Sequence, residues 1–501
     1  MPNPLYDRMF APLATREDAL LILRDGTRVS GQAFLATAAR TAHALTAAGL
    51  KPGDRLAVQV EKSPEALALY AACVAAGVVF LPLNTAYTAS ELEYFITDSA
   101  AGAVVCGTGA EATVKGIASV PVLTLDADGT GSLTEAAAGQ PDRFDPVDRE
   151  AEDLAALLYT SGTTGRSKGA MLSQTNLLSN AEALVDLWRF TADDVLLHVL
   201  PIFHTHGLFV ASHVVLAAGG SMVFLPKFDA AEALDWLPRV TTMMGVPTFY
   251  TRLLAEPGFG RETCANMRLF TSGSAPLLAE THREFEARTG HRILERYGMT
   301  ETNMNTSNPY DGERRAGTVG FPLPGVELKI TDPETGETLD DGASGMIEVR
   351  GPNVFQGYWQ MPEKTAAELR EDGFFITGDI GMIDPDGYVH IVGRAKDLII
   401  SGGYNIYPKE IELILDEQPG VLESAVIGVP HPDFGEGVVA VLVAAPGQTI
   451  DCDAVRAAAG ERLAKFKQPK ALEVVEELPR NTMGKVQKNL LRDQFAGAFT
   501  G

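Results

Sequence analysis

The chain has 501 residues, more than one hydrophobic core ordinarily organises, so two or more domains are expected. Its formal charge of −24 argues against sequence-independent binding to nucleic acid or docking on anionic membranes, while 46% hydrophobic and 21% charged residues are ordinary for a globular protein. Cys73, Cys106, Cys264 and Cys452 are far apart with no C-x-x-C, which points away from a disulfide framework or a zinc site and toward a reducing, cytoplasmic setting.

In chain order, the opening MPNPLYDRMF lacks a basic segment followed by an apolar run, so no leader peptide is expected. RLAVQV, SPEALALYAACVAAG and VVFLPL then read as strand, helix and strand. The stretch ALALYAACVAAGVVFLPLN, from Ala66, is as long as a membrane span, but Gly77 and Pro82 interrupt it; it reads as a buried helix ending near Gly77 followed by a short strand. AGAVVCG and SMVFLP continue the alternation, which predicts parallel sheets with helices on both faces. From about Gly317 the pattern changes: GVELKITDPETGETL, SGMIEVRGP and GYVHIVG are strands separated by turn residues, as in an antiparallel sheet or barrel. Beyond Arg394–Asp397, YPKEIELILDEQPG reads as helix, VLESAVIGV and VVAVLVAA as strands, and DAVRAAAGERLAKF as helix, which outlines a small α+β domain.

The strand DLAALL opens into YTSGTTGRSKGAM, a loop rich in Gly, Ser and Thr that carries two cations and no acid. Successive backbone N–H groups in such a turn form an anion nest, hydroxyls add donors, and Lys168 supplies a point charge. The loop suits a polyphosphate, although its Gly162–Lys168 spacing is not that of a Walker A sequence.

The whole string resembles the phosphate loop of the adenylate-forming superfamily, which includes acyl-CoA synthetases, adenylation domains and luciferases. YGMTE (297–301), GPNVFQGYW (351–359), TGD (377–379), GRAKDLIISGGYNIYPKEIE (393–412) and PRNTMGKVQK (479–488) extend the resemblance over nearly the full length. It implies an α/β fold with a large N-terminal domain, residues 1–394, built from two doubly wound αβ subdomains plus a β-barrel-like subdomain. Residues 395–501 would form a small mobile C-terminal α+β domain. It implies ATP, Mg²⁺ and coenzyme A as participants: a carboxylate attacks the α-phosphate to give acyl-adenylate and pyrophosphate, and a thiol then displaces AMP. An anion must approach a polyanion, so cations are needed where charge gathers.

By this resemblance Thr160, Ser161, Gly162, Thr163, Thr164 and Lys168 cradle the β- and γ-phosphates, Thr300 bonds the α-phosphate, and Glu301 holds the metal. Gly273, Ser274, Ala275 and Pro276, with Glu295, Arg296, Tyr297 and Gly298, would flank adenine. Asp379 and Arg394 would bond the ribose. Lys485 matches the catalytic lysine that bridges the attacking carboxylate and the α-phosphate, and its acetylation by a lysine acetyltransferase would silence adenylation. Lys396 matches the hinge, and Gly402 and Gly403 would allow close approach of coenzyme A.

LPIFHTHGLFVAS, MGVPTFYTRLL, GSAPLLAETHREFEARTGH and ERYGMTETNMNTSNPYDGERRAGTVG resemble the malonyl-CoA synthetases in particular. Malonate carries an inert second carboxylate into a partly closed pocket, where an unpaired anion is costly and a guanidinium can pair it bidentately. Arg252, Arg283, Arg288 and Arg296 are candidates. Arg283, at the edge of a helical face made by Leu278, His282 and Phe285, is the expected partner, with Ser307 as a weaker hydrogen-bond donor. H-x-H at His204 and His206 reads as a strand with both rings on one face; no third metal ligand is nearby, and the resemblance puts His206 at the acyl-pocket wall. Open alternatives are methylmalonate, acetate, propionate or an aryl acid as substrate, an adenylation protein loading a carrier, and a catalytically silent ATP-binding protein.

Overall fold

A computed structural model describes residues 3–160, 167–401, 404–481 and 484–499. Cα packing divides the chain into two compact units, residues 1–327 with 349–375 and residues 328–348 with 376–501.

The first unit holds two large sheets. In the six-stranded sheet the spatial order is Val122–Thr124, Ala103–Cys106, Arg55–Gln59, Val79–Pro82, Leu154–Thr160 and Lys168–Ser173. All neighbours are parallel except the last pair, a hairpin in which Thr160 faces Lys168. The nine-stranded sheet has a parallel centre and antiparallel edges. The apolar segment from Ala66 forms helix Pro64–Ala76, capped by the Ser63 side chain on Ala66 N–H and ended by Gly77 at φ 69°, and strand Val79–Pro82 follows. Residues 66–76 are buried throughout, which is why this helix is hydrophobic all round. Among the described residues no helix is long and apolar enough to cross a membrane.

The second unit contains most of a four-stranded sheet, Glu327–Thr331, Gly345–Arg350, Phe375–Ile383 and Val389–Arg394 in spatial order. The barrel-like subdomain expected from the sequence is therefore corrected to an open sheet; its two outer strands do not pair with each other among the described residues, and so few strands enclose no interior. The expected boundary after residue 394 would leave this sheet with the N-terminal domain, whereas Cα packing groups it with the C-terminal elements. Those elements are a second sheet around the long hairpin Val421–His431 and Gly435–Ala444, packed on helices Pro408–Asp416 and Cys452–Arg462 through Ile411, Ile414, Val426, Leu442 and Val455.

Candidate active site

Strand Leu294–Met299 turns back through a tight connection into Asn303–Ser307, with a register shift at Tyr297/Gly298. Gly298 is required there, since a Cβ would lie 1.8 Å from the Asn303 carbonyl oxygen. Thr300 and Glu301 sit at the tip of this hairpin; Glu301 is buried, and its carbonyl accepts from Phe355 N–H at 2.8 Å. The Tyr358 hydroxyl lies 3.1 Å from Glu301 Oε1 and 2.7 Å from Glu368 Oε2. Having one proton, it serves one carboxylate at a time. Lys168 Nζ is 3.2 Å from the same Glu368 oxygen and 4.1 Å from the Tyr358 ring centroid, and Lys364 meets Glu368 at 2.6 Å. Burial pushes the Glu368 carboxyl up, but hydrogen bonds from Lys364 and Tyr358 and the charge of Lys168 outweigh it and hold the group below its ordinary range. Thr160 ends strand Leu154–Thr160, just before the segment expected to hold phosphate. Ser161, Gly162, Thr163, Thr164, Gly402 and Gly403 lie outside the described residues. Tyr358 stands out in the sequence only as part of a motif, and Glu368, which carries no motif signal, is missed there.

At the other end of the hairpin, Arg296 is 3% exposed, and its Nε and Nη2 find no hydrogen-bond partner among the described residues. Burial pulls the guanidinium down to about 9, and the neighbour favouring its charge is a phenol, Tyr250. Gly273 makes room for it: a Cβ there would lie 2.0 Å from Arg296 Nη1. The next residue, Ser274, has φ 69°, and its hydroxyl meets His206 Nδ1 at 3.1 Å, while His206 Nε2 is buried and unpartnered among the described residues. Burial first, and the Arg296 charge second, hold His206 well below its ordinary pKa, so the ring is neutral.

The strand expected at H-x-H is instead the start of a π-helical turn, His206–Ser212. Gly207 allows it, because a Cβ would meet the Pro201 carbonyl at 2.0 Å. Beneath the turn, His198 Nε2 bonds the Gly207 carbonyl at 2.9 Å, and the buried Lys62 ammonium contacts His198 Nδ1 at 2.8 Å. Neither residue was singled out from the sequence, where an isolated lysine gives no sign of burial.

The remaining acyl-pocket expectations fare differently. In helix Ala279–Thr289, Thr281, His282 and Phe285 face inward, whereas Arg283 is exposed. Arg288 donates to the carbonyls of Leu254, Glu256 and Phe259 and so closes the end of helix Pro247–Ala255. Arg252 is exposed and lines a cavity of about 230 Å³ with Lys227, Phe228 and Phe249. Ser307 opposes Arg296 in the ladder, but its hydroxyl accepts from Trp188 Nε1 at 2.9 Å and donates to the Asn308 carbonyl at 2.8 Å, which leaves it no free proton for a ligand. Glu295 accepts from Gly317 N–H at 3.2 Å and lies 3.4 Å from His282 Nδ1. Tyr297 and Ala275 are half-buried, and Pro276 is exposed. Among the described residues, no cluster of three or more His, Cys, Asp or Glu side chains could hold a metal.

In the second unit, Asp379 and Arg394 face each other across strands Phe375–Ile383 and Val389–Arg394, with an ion pair at 2.7 Å. Lys396 is exposed in the short turn Ala395–Asp397 that follows. Lys485 follows a turn in which its own N–H donates to Asn481 Oδ1 at 3.0 Å.

The AMP-binding enzyme profile matches residues 11–359, and the AMP-binding enzyme C-terminal domain profile matches residues 410–485. The solved structure of ATP-bound MatB from Rhodopseudomonas palustris is 60% identical, covers 100% of both chains and superimposes with a TM-score of 0.97. A feruloyl-CoA synthase from Amycolatopsis sp is 37% identical, covering 95% of this chain and 96% of its own. A malonate–CoA ligase from Arabidopsis thaliana is 35% identical, covering 89% of this chain and 78% of its own. The chain belongs to the AMP-binding enzyme family.

Proposed function

We propose that the chain is an AMP-forming malonate–CoA ligase. Malonate and ATP give malonyl-adenylate and pyrophosphate; the thiol of coenzyme A then takes the acyl group and AMP leaves. One observation carries the choice of acid. Nε and Nη2 form one edge of the Arg296 guanidinium, the edge that matches the two oxygens of a single carboxylate. Both N–H groups are buried and unpartnered among the described residues, with His206 Nε2 as another unpartnered polar atom of the same region. Leaving such groups unsatisfied costs free energy that a second carboxylate on the substrate recovers. We therefore move the role expected of Arg283 to Arg296, and away from adenine.

Lys168 would leave Glu368 for the phosphates of ATP, exchanging one anion for another. A buried carboxylate, Glu301, with phosphate oxygens completing the shell, would fit Mg²⁺, which takes few protein ligands and keeps several waters. When bound, the ion would neutralise phosphate charge. Thr300 would donate to the α-phosphate and Lys485 would offset the charge that gathers as the carboxylate attacks. Asp379 and Arg394 remain the proposed ribose ligands, and Lys396 the hinge after residue 394. Acetylation of Lys485 would remove its charge. The four cysteines are unpaired, which fits a reducing cytoplasm.

The test is coenzyme-A-dependent AMP release across malonate, methylmalonate, succinate, acetate, propionate and ferulate. Malonate is expected to give the highest kcat/KM; a higher value for propionate or ferulate would remove the reading.

A further inference from the structure

Lys485 lies in a turn whose two sides are tied together. Gln487 N–H donates to the Pro479 carbonyl at 2.8 Å, Asn481 N–H to the Lys485 carbonyl at 3.0 Å, and Arg480 and Val486 form an antiparallel bridge. Each side also carries an ion pair to the body of the second unit. Before the turn, Arg480 donates to the Gly484 carbonyl at 2.7 Å and pairs with Glu423 on strand Val421–His431. After it, Lys488 opens helix Lys488–Gln494, and its ammonium lies 2.6 Å from Glu412 Oε1 on helix Pro408–Asp416. The Glu412 side chain is 8% exposed and that of Lys488 17%. The same Glu412 oxygen accepts Val426 N–H at 2.9 Å, which fixes the carboxylate on the sheet. At the far end of the short helix, Arg492 pairs with Asp397 at 2.7 Å.

A cation in the first turn of a helix opposes the helix dipole. A largely desolvated ion pair contributes little net stability, since dehydrating both partners offsets their attraction. Neither helix formation nor stability therefore accounts for Lys488. What the pair does supply is a fixed point three residues from Lys485, anchored to the central hairpin of the unit.

We propose that Glu412 and Lys488 are positioning residues for Lys485, acting in adenylation and not in thioester formation. This rests on the reading of Lys485 as the adenylation lysine. A lysine that meets developing charge must be placed to within a fraction of an ångström, and a displacement near 1 Å costs up to about a hundredfold in rate.

The experiment uses the full chain with Glu412→Gln, Lys488→Met and Lys488→Arg. Two rates are measured: malonate-dependent exchange of pyrophosphate into ATP, and thioester formation from supplied malonyl-adenylate and coenzyme A. The side-chain amide introduced by Glu412→Gln still offers an acceptor to Val426 N–H, so that change removes charge without orphaning the backbone donor. Exchange is expected to fall by about 10- to 100-fold in Glu412→Gln and Lys488→Met and to recover to within about threefold of wild type in Lys488→Arg, while thioester formation stays within about twofold throughout. Equal losses in both rates, or unchanged exchange, would overturn the proposal. Should Glu412→Gln fail to fold, Lys488→Met carries the same expectation, because Lys488 is the more exposed of the two partners. A wild-type chain that performs thioester formation from the adenylate but exchanges no pyrophosphate with any acid would instead remove the reading of Lys485 on which this rests.

Discussion

Replacing Arg296 by methionine tests the choice of acid most directly. Burial lowers the guanidinium from 12.5 to about 9, a desolvation cost of order 4–5 kcal/mol at ~1.4 kcal/mol per unit. Independently, breaking a buried ion pair by removing one partner costs about 3–5 kcal/mol. At ~1.4 kcal/mol per factor of ten, the loss of that pair predicts a fall in kcat/KM for malonate of about two to three and a half orders of magnitude. The same change should stabilise the ligand-free chain by about 1–4 kcal/mol, because a hydrophobic side chain of similar length replaces a buried charge whose Nε and Nη2 have no hydrogen-bond partner among the described residues. Propionate, which lacks the inert carboxylate, should lose nothing and should gain relative to malonate. The assay is coenzyme-A-dependent AMP release with each acid at saturating ATP, together with thermal unfolding of the free enzyme. Arg283→Leu is the control, since Arg283 is exposed and should leave malonate turnover within about twofold of wild type. Equal losses of malonate and propionate turnover in Arg296→Met, or a malonate loss reproduced by Arg283→Leu, would refute this role for Arg296.

Gly273→Ala places a methyl group against Arg296 Nη1 and should lower kcat/KM for malonate by about tenfold or more in initial-rate kinetics. Tyr358→Phe removes the hydroxyl between Glu301 and Glu368 and should weaken Mg²⁺-dependent binding of ATP, measured calorimetrically, by about tenfold. Burial pushes the Asp416 carboxyl up from 3.8 to about 6, so its contribution to stability is full below pH 4 and lost as pH rises through 6. Asp416→Asn removes that loss: its advantage over wild type in urea unfolding should grow by up to about 3 kcal/mol between pH 4 and pH 8, and an advantage independent of pH would contradict the argument. Chain acetylated at Lys485, verified by mass spectrometry, should lose pyrophosphate exchange but keep thioester formation from supplied adenylate.

The alternation of strands and helices was legible because burial and period coincide. Helix Pro64–Ala76 shows its whole logic locally, from the Ser63 cap to the left-handed Gly77. The turn at His206 was not legible, since its conformation depends on Gly207 passing close to the Pro201 carbonyl, a tertiary contact with no trace in H-x-H. Arg283 and Arg296 show the same limit. Both stand in strings that resemble the malonyl-CoA synthetases, and only the inward direction of strand Leu294–Met299 and the space left by Gly273 bury one guanidinium while the other stays in water. Glu368 escaped because its partner Lys168 lies 200 positions away, beyond any local pattern.

Gly273 and Arg296 occupy what is in effect one volume, and this constrains how such a chain could change its diet over generations. A larger residue at 273 cannot come first, because it collides with the guanidinium. Shortening Arg296 first opens a hole that water or a bulkier, uncharged acid can fill, and only then does the glycine become free to vary. Descent toward acids without a second carboxylate therefore has a preferred order of steps, and the return journey must run through the same order in reverse.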